Sequence, residues 1–171
     1  MGTVWNIGAV DKVVLAVAPM ETDTGNTKKV EITVDSGAGT SCWPEKLLKS
    51  IPMMPKAKGV KFKAANRSEL KYLGTKKIQF YPTDSHKREG GKADDVCELN
   101  FHVTDTTKPL AAAMAIAKMG NRIVLEDGPG KSYIECLKTG SRLMLKESGG
   151  TYVFDAECIT GAKSPIFSRR G

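Results

Sequence analysis

Val30-Glu31-Ile32-Thr33-Val34-Asp35-Ser36-Gly37-Ala38-Gly39-Thr40-Ser41-Cys42-Trp43-Pro44 alternates up to Val34 and then runs into an acid followed by small residues. The period of two and the β-branched content describe a half-buried strand, and the Ser-Gly-Ala-Gly run behind it describes a tight loop. A carboxylate is thereby delivered at the end of a strand. Ser36 can lock the carboxylate loop through its hydroxyl, Gly37 lets another backbone come close, and Ala38 leaves room for a peptide. The plain alternative is an ordinary Asp-Ser-Gly turn after a strand.

Working outward, strand signals dominate. Lys12 to Val17, Lys29 to Val34, Val60 to Ala64, Leu70 to Tyr81, Val96 to Val103, Arg122 to Glu126, Ser132 to Leu137, Arg142 to Lys146 and Thr151 to Asp155 are short, β-branched or alternating, and punctuated by Gly, Asp, Asn and Ser. The last four are joined by Asp127-Gly128-Pro129-Gly130, Thr139-Gly140 and Ser148-Gly149-Gly150, which predicts an antiparallel meander. One helix is predicted from Pro109 to Met119, with Pro in its first turn, an alanine-rich body and Gly120 as its stop; a shorter one is predicted to start near Glu45. Residues 83–95 have neither period nor hydrophobes and read as a surface loop. Residues 156–171 lack a pattern and read as a flexible C-terminal tail, leaving one all-β domain over residues 1–155.

The 171 residues suit one domain, at a prior of about 150 per domain, and 40% apolar with 26% charged residues suits a chain with a core rather than a disordered one. No window approaches the roughly 18 apolar residues of a membrane span. The run from Val13 to Met20 is cut by Pro19 and has no signal-peptide flanks, so a soluble, cytoplasmic protein without a membrane partner is expected. Met1-Gly2 is not a myristoylation signal, because Asn6 stands where Ser or Thr is needed.

Cys42, Cys97, Cys136 and Cys158 form no C-x-x-C pair, and His86 and His102 do not stand near them in ligand spacing. Four reduced, mostly buried thiols are expected, with no metal and no organic cofactor. The net charge of +7 attracts polyanions in general. Its lysines and arginines, from Lys56 to Lys77 above all, alternate with apolar residues as the wet face of strands would, and no recognition helix, zinc finger or aromatic-rich sheet motif accompanies them. RNA contact is therefore expected to be weak and nonspecific.

Smaller motifs read as structure. Asp23-Thr24-Gly25 sits in polar surroundings and reads as a hairpin turn. Gly128-Pro129-Gly130-Lys131-Ser132 imitates the end of a phosphate-binding loop, but Leu125 replaces its first glycine, Pro129 removes a donor, and a strand follows. Asn66-Arg67-Ser68 is an incidental glycosylation triplet, His86 reads as solvated and His102 as strand surface. No Ser/His/Asp or Cys/His set of interpretable order is present.

Thr33-Val34-Asp35-Ser36-Gly37-Ala38 resembles the hydrophobic-hydrophobic-Asp-Ser/Thr-Gly-Ala/Ser signature of aspartic proteases, and Trp43-Pro44 looks like the Trp and Pro that follow it in pepsin-like enzymes, where the Trp falls one position earlier. More of the chain is similar to the retropepsin-like protease segment of copia-type retrotransposon polyproteins. Val60 to Phe80 resembles its flap hairpin, with a polar tip at Asn66 to Glu69, and Phe101 to Leu110, Gly120 and Ile123-Val124-Leu125 resemble the end of such segments. The resemblance covers about residues 30–155. Two departures stand out: Gly39 occupies the position two past the motif Gly where retroviral proteases carry an acid, and no hydrophobic-hydrophobic-Gly-Arg-Asp/Asn signature occurs around Leu110 to Gly120.

The resemblance implies a small closed or partly open β-barrel of the retropepsin type with one short helix. It implies an aspartic endopeptidase, active as a homodimer in which each chain contributes Asp35, processing a polyprotein of retroelement type. Ser36, Gly37 and Ala38 would support the active-site loop, and Ala65, Asn66, Arg67 and Ser68 would form the flap that closes over an extended peptide. Two adjacent carboxyls cannot both ionise cheaply, so the pair shares a proton and supplies one base and one acid. Activity below or around neutral pH is implied, with two apparent pKa values that belong to the pair. The alternative is a catalytically silent module of the same fold that dimerises or binds peptide or RNA.

Overall fold

The alternation that leads to Asp35 folds as a strand, and the other strands are arranged around it. The computed structural model describes residues 4–8, 27–56, 71–82 and 96–160. They form β1 (Val4–Gly8), β2 (Thr27–Asp35), β3 (Cys42–Pro44), β4 (Tyr72–Pro82), β5 (Val96–Thr104), β6 (Leu110–Ala112), α1 (Ala113–Lys118), β7 (Asn121–Val124), β8 (Ser132–Cys136), β9 (Arg142–Ser148) and β10 (Thr151–Ile159). The described chain is thus mostly β with one short helix, and none of its helices is long and apolar enough to cross a membrane.

Pairing runs in a closed circuit, from β5 through β3, β6, β2, β10 and β4 back to β5. The pairs β3–β5 and β2–β6 are parallel and the other four antiparallel. β1 joins the ring in parallel along β5, while β9, β8 and β7 extend from β10 as the predicted antiparallel meander. Gly149 and Gly150, with φ of 59° and 84°, make the two-residue turn between β9 and β10, a conformation that matches the twist of the strands it joins.

Ring closure buries both faces of the central strands. Eight of the nine residues of β5 are buried, as is most of β4, so burial there is continuous rather than alternating. His102 and Lys76, expected on a wet strand face, are accordingly only 2% and 3% exposed. His102 Nδ1 lies 2.9 Å from the Tyr72 hydroxyl, and Lys76 Nζ donates to the Leu48 carbonyl at 3.2 Å. Ile32, Trp43, Ile78, Phe80, Leu99, Phe101 and Phe154 fill the core, with Trp43 against Phe101 at 4.9 Å and Phe80 stacked on Phe154 at 5.6 Å between ring centroids.

Several predicted boundaries move. The helix expected from Pro109 to Met119 is confined to Ala113–Lys118, because Leu110–Ala112 pairs with Thr33, Val34 and Asp35 as β6. Sheet pairing overrides the helical propensity of Ala111 and Ala112, both fully buried there. Gly120 does end the helix, with φ 81°. No helix starts near Glu45; residues 45–50 are a series of turns, including Leu48 at φ 49°. Trp43 Nε1 donates to the Leu47 carbonyl at 2.8 Å, so Trp43 and Lys76 clamp successive carbonyls of that segment. The tail expected from residue 156 does not begin there, since Ala156 to Ile159 continue β10 against β2 and β4 with Ala156 and Cys158 in the core. The predicted strands Lys12 to Val17 and Val60 to Ala64, the 83–95 loop and the rest of the expected tail lie outside the described residues.

The two ends of the strand path, β1 and β7, meet through one side chain. Asn121, 4% exposed, donates through Nδ2 to the carbonyls of Ile7 at 3.2 Å and Ile116 at 3.0 Å, and accepts the Trp5 indole N–H at 2.9 Å.

Met54 pairs with Thr75 through two backbone hydrogen bonds of 2.7 and 2.9 Å, bringing the segment after the turns onto the start of β4. Beside it, Gly74 is in a close approach: a Cβ there would lie 2.5 Å from the Met54 carbonyl oxygen and 2.9 Å from Met53 Cγ. Gly74→Val is therefore expected to push this pair apart and cost about 1–3 kcal/mol. A urea titration of the variant checks this, and a midpoint equal to that of wild type would show that the close approach carries no strain.

Candidate functional site

Asp35 is the last residue of β2 and stands opposite Ala112 of β6 in a parallel pair. The apolar residues behind it, Ile32 in the core and Val34 packed against it, anchor the strand, so its carboxylate sits partly exposed on a fixed support. The loop then turns tightly: the Gly37 N–H donates to Asp35 Oδ1 at 2.8 Å and the Ala38 N–H to the Asp35 carbonyl at 3.4 Å. A Cβ on Gly37 would lie 3.4 Å from Asp35 Oδ1, whereas one on Gly39 would meet nothing within 4 Å. The position two past Gly37, where retroviral proteases carry an acid, thus has open space beside its backbone.

Of the expected supporting residues, Gly37 contacts the carboxylate directly, Ala38 ties back to the strand, and Ser36 is exposed. The buried hydroxyl that fastens the loop belongs to Ser41. It is 1% exposed, its Oγ accepts the Ala112 N–H at 2.9 Å, and its carbonyl accepts the His102 N–H at 2.9 Å. Ser41 thereby joins the loop to β6 and β5. Its signal in the sequence is slight, a small hydroxyl residue at the head of the apolar Cys42-Trp43-Pro44 strand.

The flap residues Ala65, Asn66, Arg67 and Ser68 lie outside the described residues, as do Asp23-Thr24-Gly25 and His86. Gly128 to Ser132 forms the predicted turn and strand start: Gly128 and Gly130 have φ of 112° and 76°, and the Ser132 hydroxyl both accepts the Glu126 N–H at 2.9 Å and donates to its carbonyl at 3.1 Å. Among the described residues no three His, Cys, Asp or Glu side chains gather to hold a metal ion.

The four cysteines are free, with Cys42, Cys97 and Cys158 buried and Cys136 half-buried. Burial pushes the Cys158 thiol up to about 12. Burial also pushes Cys42 up to about 11; a hydrogen bond with Thr104 opposes this and the charge of Asp35 adds to it. At Cys136 slight burial works upward, but hydrogen bonds from Thr139 and from the Lys138 backbone, with the Lys138 charge, hold the thiol below its usual value. The thiolate is the reactive form. Iodoacetamide at about pH 8 is thus expected to label Cys136 well before Cys42 or Cys158, which react only on unfolding. Mass mapping of the native protein checks this order, and early labelling of Cys158 would contradict its burial.

Among family models, curated proteins and solved structures, none matches the chain.

Proposed function

We propose that the chain is an aspartic endopeptidase of the retropepsin type, active as a homodimer and cutting a polyprotein of retroelement type. The observation that carries this reading is the placement of Asp35: a half-exposed carboxylate at the end of a core-anchored strand, inside a Ser-Gly-Ala loop whose Gly37 amide already donates to one of its oxygens. The ring of six strands supports the small-barrel reading. Four free thiols suit a reducing compartment such as the cytoplasm.

In the proposed dimer two copies of Asp35 face each other across a two-fold axis and share one proton. The charged carboxylate takes a proton from a water as it attacks the peptide carbonyl. The protonated one donates to the carbonyl oxygen and the pair later protonates the leaving nitrogen. The Gly37 amide holds its Oδ1 in place during this exchange. Extended substrate is bound by backbone pairing, so specificity comes from the pockets its alternate side chains enter.

A second reading is favoured by the open space at Gly39 and by Ala111-Ala112-Ala113 at the junction of β6 and α1, where no Gly-Arg-Asp/Asn occurs. It is a silent module of the same fold that dimerises or holds a peptide. Incubation of the purified protein with an unstructured protein substrate from about pH 4 to about pH 8, with and without the transition-state analogue pepstatin, separates the two. Cleavage blocked by pepstatin is the expected result. No cleavage by folded, dimeric protein would establish the silent module.

A further inference from the structure

The loop carrying Asp35 is held at its start by β2 and at its far end by Ser41, 71 residues from its partner Ala112. Ala112 is also the residue paired with Asp35, and it stands immediately before α1. The buried hydrogen bond from the Ala112 N–H to Ser41 Oγ therefore sets how far the Asp35 loop stands from β6, and the Ser41 carbonyl sets its distance from β5 by accepting the His102 N–H. With Ser41 1% exposed and Ala112 fully buried, water does not replace this bond if the hydroxyl is removed.

We propose that Ser41 is a positioning residue for Asp35, holding the carboxylate at the separation from its partner copy at which the two share a proton. This rests on the protease reading above. Two carboxyls couple strongly only within hydrogen-bond reach, so a small drift of the loop weakens the coupling without moving the substrate-binding strands. Ser41 is buried beneath the loop, and its loss acts on the chemical step rather than on substrate binding.

The test compares wild type, Ser41→Ala, Ser41→Thr and Ser41→Cys in cleavage of one peptide across pH. Ser41→Ala is expected to lower kcat about tenfold to a hundredfold with KM nearly unchanged. The acid and alkaline limbs of its pH–rate profile should move closer together, since weaker coupling separates the two proton losses less. Ser41→Thr keeps the hydroxyl and is expected to recover most of the rate. Ser41→Cys retains the side-chain length with a weaker acceptor, and should show the same shift in profile if Ser41→Ala does not fold.

A folded Ser41→Ala with wild-type kcat would overturn the proposal, and so would a loss of rate with limbs unmoved, which marks a purely structural role. An active wild type with an unaffected variant sinks this assignment alone. An inactive wild type sinks the protease reading and the assignment with it.

Discussion

Asp35→Asn is expected to abolish cleavage, by at least about a thousandfold, while leaving the fold intact. The amide has the carboxylate's shape and its oxygen can still accept the Gly37 N–H, so the loop keeps its geometry. It carries no charge and cannot act as base or share a proton. Because Asp35 is half-exposed at a strand end, thermal stability should change by no more than about 0.5 kcal/mol. Mixing experiments sharpen the expectation. If one site needs two aspartates, equal amounts of wild type and Asp35→Asn, exchanged to randomness, retain about a quarter of the activity, whereas independent sites would retain about half. Cleavage by purified Asp35→Asn at the wild-type rate would remove Asp35 from the chemistry altogether.

The second large effect concerns stability. Asn121→Ala is expected to cost about 3–5 kcal/mol, a large part of the 5–15 kcal/mol typical of a domain. Its amide bonds the Ile7 and Ile116 carbonyls and the Trp5 indole N–H, two groups from β1 and one from α1. Alanine takes this partner from the Ile7 carbonyl and the Trp5 indole N–H at a position only 4% exposed, while the Ile116 carbonyl keeps the Met119 N–H at 3.2 Å, and a buried group left unpaired carries a desolvation penalty of roughly 1–3 kcal/mol. Urea unfolding followed by tryptophan emission reads the loss, since Trp5 is itself one of the partners. A shift below about 1 kcal/mol would show that β1 is held by its pairing with β5 and owes little to this side chain.

Much of the sheet was legible because alternation is a local signal. The runs ending at Val34, Val103 and Asp155 and the glycine-rich turns between β7 and β10 identify themselves without reference to the rest of the chain. β3 and β6 are three residues each, too short to show a period, and the second hides in an alanine run that reads as helix. The parallel pairs were not legible, because nothing local tells Val4 that its neighbour is Val96 or Asp35 that its neighbour is Ala112. For the same reason His102 and Lys76 looked like surface: their own alternation is that of a half-buried strand, and only ring closure covers the second face. At the candidate site the Asp35-Ser36-Gly37-Ala38 run announces itself through small residues in sequence, whereas Ser41 acquires its importance from a contact formed across 71 residues.

β10 has a consequence for synthesis. It pairs with β2, β4 and β9, and the six-strand circuit cannot close without it. A ribosome adding about 5–20 residues per second needs roughly 6–25 s to move from Asp35 to Ile159. Throughout that interval the segment of β2 and its acid has been made, but the ring that stands behind them in the finished fold cannot yet form. On the protease reading proposed above, translation itself would impose a delay between making the carboxylate and arming it, and any downstream polypeptide would already be emerging when the first opportunity for cleavage arose.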